Sequence, residues 1–169
     1  MPFMTLSSTA VDRVRPRSDD TIDEILSFLE TDLLCYRAQE PDALVLEQNE
    51  VWQPLLNWCE GLIGSAFNVT SGIMPVSQVP TLVPSARKIL RSYNHFELLG
   101  LHQFTSISGS AVIGLALLEN HIELEAAYQA SFIDDYFQIN NWGDDADASL
   151  RIANRRREML EIKEFLDLL

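Results

Sequence analysis

Leu98 to Leu118, LLGLHQFTSISGSAVIGLALL, runs for twenty-one residues without a formal charge. Its reading decides the fold, because an apolar stretch of that length can cross a bilayer as a helix. His102, Gln103, Thr105, Ser106, Ser108 and Ser110 all lie inside it. Polar groups at that density are costly in lipid unless other helices satisfy them. The stretch therefore reads as a helix buried in a water-soluble fold, with no membrane insertion. Asn94, with Glu97 three residues on, opens it as a capping pair. Ser106, Ser110 and Gly114 recur every fourth residue along it, a smooth strip on which another helix of the same domain can lie close.

Outward from this stretch the chain is mostly helical. Leu6, Ala10, Val11 and Val14 mark a first short helix that Pro16 stops. Ile22, Ile25, Leu26 and Leu29 fall on the stripe of a second, whose first turns carry Asp19, Asp20, Asp23 and Glu24, where negative charge favours the helix dipole. Leu33 to Ala38 lacks helical period and reads as extended. Pro41 suits the first turn of a helix bearing Leu44, Gln48, Val51 and Leu55. Pro54 within it predicts a kink or a restart near Trp52, and Gly61 and Gly64 offer stops. Phe67 to Thr70 alternates like a short strand, ended by Ser71 and Gly72, and can pair with the extended Cys35 segment.

Pro75, Pro80 and Pro84 punctuate a loop. Leu82, Ala86, Ile89, Leu90 and Tyr93 then make another helical stripe. After the uncharged stretch, one helix is expected from near Leu124 to Ile139, closed by Trp142-Gly143. Asp144, Asp145 and Asp147 open the last, which sets Ile152, Met159, Ile162, Leu166 and Leu169 on one side and Arg155, Arg156 and Arg157 on the other. The expected fold is mainly α, an irregular bundle of about six to seven helices with a minor two-strand element, forming one helical domain over residues 1–169.

The formal charge of −13 is unevenly distributed. Ser92 to Leu150 holds nine acidic residues and no Lys or Arg, and Ala38 to Ala86 holds five acids and no base. Such a surface repels phosphate backbones and anionic lipid, which argues against nucleic acid as a partner. Simple solubility explains the charge most economically. The sharper alternative is an acidic face that meets a basic patch on another protein.

Enzyme readings find little footing. Gly109 and Gly114 are not followed by the Lys-Ser/Thr of a phosphate-binding loop, and the chain has no Cys-x-x-Cys or His-Glu-x-x-His. His121 and Glu125, one helical turn apart, are only two ligands. Cys35 and Cys59 sit among apolar residues and read as buried thiols in a reducing compartment, not as nucleophiles paired with His95, His102 or His121. Asp134 and Asp135 are adjacent, so on a helix they diverge by about 100° and cannot converge as an acid–base pair. At least one of them should be exposed. Trp52, Trp58 and Trp142 read first as core, with a partner-facing role second. No metal or other cofactor is expected.

Two blocks remain that this chemistry does not absorb. One is Thr31-Asp32-Leu33-Leu34-Cys35-Tyr36-Arg37-Ala38, followed by Pro41, Gln48, Trp52 and Pro54. The other runs from Ser131 to Gly143 through Asp134, Asp135, Gln138 and Trp142. Together with Ser108-Gly109-Ser110, they resemble the assembly factor 2 family, chaperones for the α subunit of the F-type ATP synthase catalytic head. The similarity extends roughly from Leu6 to Phe165. It implies a non-enzymatic protein of the bacterial cytoplasm or mitochondrial matrix. Such a protein binds the unassembled α subunit and shields its subunit interface until the β subunit replaces it. The family's acidic position maps onto Asp134 or Asp135, and Gln138 and Trp142 match its pattern, which makes these four the expected partner-binding residues. Relatives tend to carry Glu at the acidic position, one methylene longer. They also have a β-rich domain ahead of the helical one, to which nothing in this chain corresponds. At Glu123 relatives often place a better helix cap. A generic helical interaction subunit is the alternative, and an enzyme with a scattered carboxylate and histidine site a weaker one.

Overall fold

Acidic residues and an apolar stripe set the first helix seen in the computed structural model, which describes residues 18–143 and 145–169. The helix expected around Leu6 to Val14, and Asp144, lie outside the described residues. Helix α1 spans Ser18–Glu30 and buries Ile22, Ile25, Leu26 and Leu29 behind Asp19 and Asp20 in its first turn. A 3-10 turn at Leu33–Cys35 leads into strand β1, Tyr36–Arg37. Helix α2 covers Asp42–Ile63, and strand β2 is Thr70–Ser71. Five helices follow: α3 Leu82–Arg91, α4 His95–Ser108, α5 Ala111–Leu118, α6 Leu124–Ser131 and α7 Ile133–Trp142. Helix α8, Ala146–Asp167, closes the chain and is capped by Asp145.

The fold is therefore mainly helical, with eight helices among the described residues and a small parallel sheet. Tyr36 pairs with Thr70 and Arg37 with Ser71. The strand pair is the one expected, but it starts later on both sides. Asp32 accepts from the Leu34 N–H at 3.2 Å and winds Leu33–Cys35 into a turn. Asn68 gives its backbone groups to the Gln78 side chain, at 2.7 and 3.1 Å, instead of to a ladder.

Two helices expected to be continuous are broken. The helix that opens the uncharged stretch stops at Gly109, whose φ of 78° is left-handed and suits glycine. Ser110 then caps α5 by accepting from Ile113 N–H at 3.1 Å. This break corrects the small-residue strip: Ser106 is exposed, while Gly114 faces back onto α4. A Cβ on Gly114 would come within 2.9 Å of Leu101 and 3.1 Å of Thr105, so glycine permits the α4–α5 hairpin to close. The second break falls at Phe132, with φ −117° and ψ 20°. Phe132 and Ile133 are both 1% exposed. Neighbours on a straight helix diverge by about 100°, and the break lets both enter the core.

Pro54, by contrast, causes no restart, and Gly61 does not stop α2, which runs to a left-handed Gly64. Pro54 and Glu50 both lie on the exposed face. The Glu50 carbonyl that loses its donor there faces solvent, which limits the cost. Glu123 caps α6 with no side-chain bond, the weak start read from sequence.

Helix α5 is the centre, with every residue from Ala111 to Leu117 buried. Helices α1, α2, α4, α6 and α8 pack around it. On α8, Phe165 joins Ile152, Met159 and Ile162 inside, while Leu169 is exposed. Leu166 lies over Gly100 of α4, where a Cβ would approach it to 2.5 Å.

Asp32 ties the bundle together. It is fully buried and accepts from four donors: Leu34 N–H, Ser110 Oγ–H at 2.7 Å, Ala111 N–H at 2.8 Å and Val112 N–H at 3.1 Å. The last two are free N–H groups in the first turn of α5, where negative charge is favoured. Burial pushes the Asp32 pKa up to about 6, even though the four donors pull it down.

Candidate functional site: a groove where the two sequence blocks meet

Gln48 is a polar residue on the apolar stripe of α2 and is 2% exposed. Its Oε1 accepts from Ala38 N–H at 2.8 Å. This fixes the amide so that Nε2 faces the other way and donates to Asp134 Oδ1 at 2.7 Å. One side chain thus joins the end of β1, helix α2 and helix α7. Four residues along, Trp52 is fully buried and donates its indole N–H to Ala130 O at 2.8 Å. These two bonds hold α2 against the α6–α7 junction. The blocks that are far apart in sequence, around Thr31–Trp52 and Ser131–Gly143, therefore form one surface.

That surface is a groove of about 420 Å³. It is lined by Tyr36 and Ala38 from β1 and the residue after it, by Pro41, Leu44 and Gln48 at and along the start of α2, and by Asp134, Phe137, Gln138 and Trp142 of α7. Positions 134, 137, 138 and 142 fall at i, i+3, i+4 and i+8, so α7 presents them on a common face. Arg37 also lines the groove, but its guanidinium is committed. Nε donates to Leu34 O at 2.6 Å, and the terminal nitrogens donate to Asn49 Oδ1 and Gln53 Oε1, each at 3.0 Å.

The expected partner-binding residues divide. Asp134, Gln138 and Trp142 line the groove, whereas Asp135 turns to a neighbouring hollow between α7 and α8 that Gln138, Trp142, Asp145 and Arg151 share. Trp142 is 84% exposed, which corrects its reading as core. Trp52 is core, and Trp58 is half-buried with its ring stacked on His121 at 4.5 Å. Asp134 is exposed, and its pKa is raised by desolvation against the groove wall. The Gln48 bond opposes that shift and Asp135 adds to it. No cation meets Asp134 among the described residues. Arg87 pairs instead with Asp23 at 2.8 Å, and Arg156 lies over the Tyr128 ring and 3.8 Å from Glu125. Beyond the rim, Gly72 leads to Ile73 and Met74, 98% and 70% exposed.

Gln48 belongs to the first sequence block but not to the partner-binding residues expected from sequence. Its signal was available: an amide on an apolar stripe must find buried partners.

The remaining chemistry-bearing groups are occupied elsewhere. His121 goes to Trp58, and His102 to Glu24. Cys35 and Cys59 are buried and free, with Cys35 pushed to about 12 and Cys59 well above the ordinary thiol value, in both cases chiefly by burial. Such thiols stay protonated and poorly nucleophilic. Among the described residues, no three or more His, Cys, Asp or Glu gather as a metal site, and no helix is long and apolar enough to cross a membrane.

A mainly helical scaffold with an open groove rimmed by exposed aromatic and apolar side chains is of the kind that suits proteins that hold other proteins. Comparison with known proteins narrows that class. The family model described as ATP12 chaperone protein matches residues 1–60. The crystal structure of Atp12 from Paracoccus denitrificans superposes with a TM-score of 0.94 at 33% identity, over 99% of this chain and 72% of that one. A protein of Agrobacterium tumefaciens superposes with a TM-score of 0.92 at 33% identity, over 99% of this chain and 63% of its own. Protein atp12, mitochondrial, of Schizosaccharomyces pombe is 25% identical over 157 residues, 88% of this chain and 54% of its own length. The chain belongs to the ATP12 chaperone family, a family of non-enzymatic assembly factors. It spans about half the length of that curated relative.

Proposed function

We propose that this chain is the helical part of an ATP synthase assembly chaperone that holds the unassembled α subunit of the F-type catalytic head. The groove between β1, α2 and α7 would cover part of the surface that later meets the β subunit, and arrival of β would release the chaperone. The observation that carries this reading is the convergence of both resemblance blocks on one open groove, with Trp142 exposed at its edge. Exposed aromatics and apolar residues at a concave site favour a protein partner, and a free subunit's apolar interface aggregates unless covered. The net charge of −13 over the whole chain disfavours nucleic acid. Asp134, Gln138 and Trp142 are the contact residues on this reading, with Asp135 at the margin. The compartment is the bacterial cytoplasm or the mitochondrial matrix, both reducing spaces that suit two buried free thiols.

Co-expression with the α subunit alone tests this. The chain should co-purify with α and suppress the light scattering of α held without β, and adding β should release it. Recovery of α with no bound chain, and with scattering unchanged, would overturn the assignment.

A further inference from the structure

We infer that the groove is a seat for a guanidinium, so that the partner is recognised through an arginine side chain inserted beside Asp134. The inference rests on the reading that this groove faces the α subunit, and it specifies the chemistry of that contact. Asp134 Oδ1 is held by Gln48 Nε2 at 2.7 Å, and Oδ2 has no partner among the described residues. The carboxylate is therefore oriented without being neutralised. Aromatic rings from Tyr36, Phe137 and Trp142 line the same groove. A carboxylate in a groove with aromatic side chains offers what a planar cation uses, a charge to pair with and rings to stack on.

Among the described residues no cation pairs with Asp134. Arg37 lies in the wall but is fixed by Leu34, Asn49 and Gln53. No Lys or Arg occurs between Ser92 and Leu150, or between Ala38 and Ala86. Among the described residues the charge is thus left unpaired and open to an incoming group. Arginine suits the site better than lysine, because a compact and strongly hydrated ammonium gains less from the ring faces.

The test uses N-acetyl-arginine amide and its neutral isostere N-acetyl-citrulline amide, titrated into the nitrogen-15-labelled chain. The indole N–H of Trp142 is the reporter, assigned by its loss in Trp142→Phe. The arginine compound should move that signal, with half-saturation on the order of millimolar. Citrulline should bind at least about tenfold more weakly, and Asp134→Asn should erase the difference between the two. The Trp52 and Trp58 indole signals should stay in place and report an intact fold. Equal responses to arginine and citrulline in the wild-type chain, or none to arginine, would overturn the seat, and neither result depends on a variant folding. Failure of the parent reading looks different: the arginine compound still selects over citrulline, but the chain does not co-purify with α.

Discussion

Replacing Asp32 with alanine removes the acceptor of four buried donors in one step. Ser110 Oγ can turn elsewhere, but Ala111 N–H and Val112 N–H point out of the first turn of α5, and Leu34 N–H closes the 3-10 turn. Each buried donor left unpaired costs about 1–3 kcal/mol. Loss of the uncompensated charge, whose burial holds its pKa at about 6, offsets part of that cost. A net loss of about 3–5 kcal/mol follows for Asp32→Ala. In a chain of this size that lowers Tm by roughly 10–15 °C. Asp32→Asn keeps one oxygen for the α5 N–H pair and donates its amide to Ser110 Oγ, leaving only the Leu34 N–H without its acceptor, so its loss should be smaller. Differential scanning calorimetry at pH 7.5 on the three proteins measures both. If Asp32→Ala melts within about 2 °C of the wild type, the α5 N-terminus does not depend on this carboxylate and the argument fails.

Three further outcomes are expected. Asp32 has its folded-state pKa raised from 3.8 to about 6, so the folded protein holds the proton more tightly than the unfolded chain does. Its contribution to stability is full below about pH 3.8 and is lost as pH rises through about 6, a difference of about 3 kcal/mol. The wild-type Tm should therefore gain from acidification between pH 7.5 and 5, and Asp32→Asn should show less of that gain. Gln48→Ala should cost about 1–3 kcal/mol by urea titration, because Ala38 N–H loses its acceptor and Asp134 its donor. Cys35 and Cys59 should resist a thiol reagent in the native protein and react, both of them, in denaturant without reductant; a disulfide in the purified chain would contradict this.

Periodicity carried most of the fold, because the α1, α3 and α8 stripes are long and their apolar residues face one core. The capping pair Asn94 and Glu97 formed as read, with Glu97 N–H donating to Asn94 at 2.8 Å. The breaks at Gly109 and Phe132 were not legible, since period alone does not distinguish one buried helix from two in a uniformly apolar run. Ser108-Gly109-Ser110 held the clue: a glycine able to take positive φ, followed by a serine able to cap. The groove was half legible. Asp134, Gln138 and Trp142 came from a resemblance, and their common face follows from helical spacing. That Gln48 and Tyr36 would stand opposite them depends on tertiary packing across eighty-six residues, which the order of residues along α2 does not encode.

The central claim is that the α7 wall of this groove holds the α subunit, and paired measurements of affinity and melting temperature test it most directly. Purified α subunit is titrated calorimetrically with the wild-type chain, Asp134→Lys, Asp135→Lys and Trp142→Ala, at low and at moderate salt. The account predicts at least about a tenfold loss of affinity, or about 1.4 kcal/mol, for Asp134→Lys and Trp142→Ala. Asp135→Lys should lose less. The Asp134→Lys loss should be larger at low salt, and Tm should stay within a few degrees of the wild type in each case. Wild-type affinity in both groove variants, with their folds intact, would place the interface elsewhere and contradict the account.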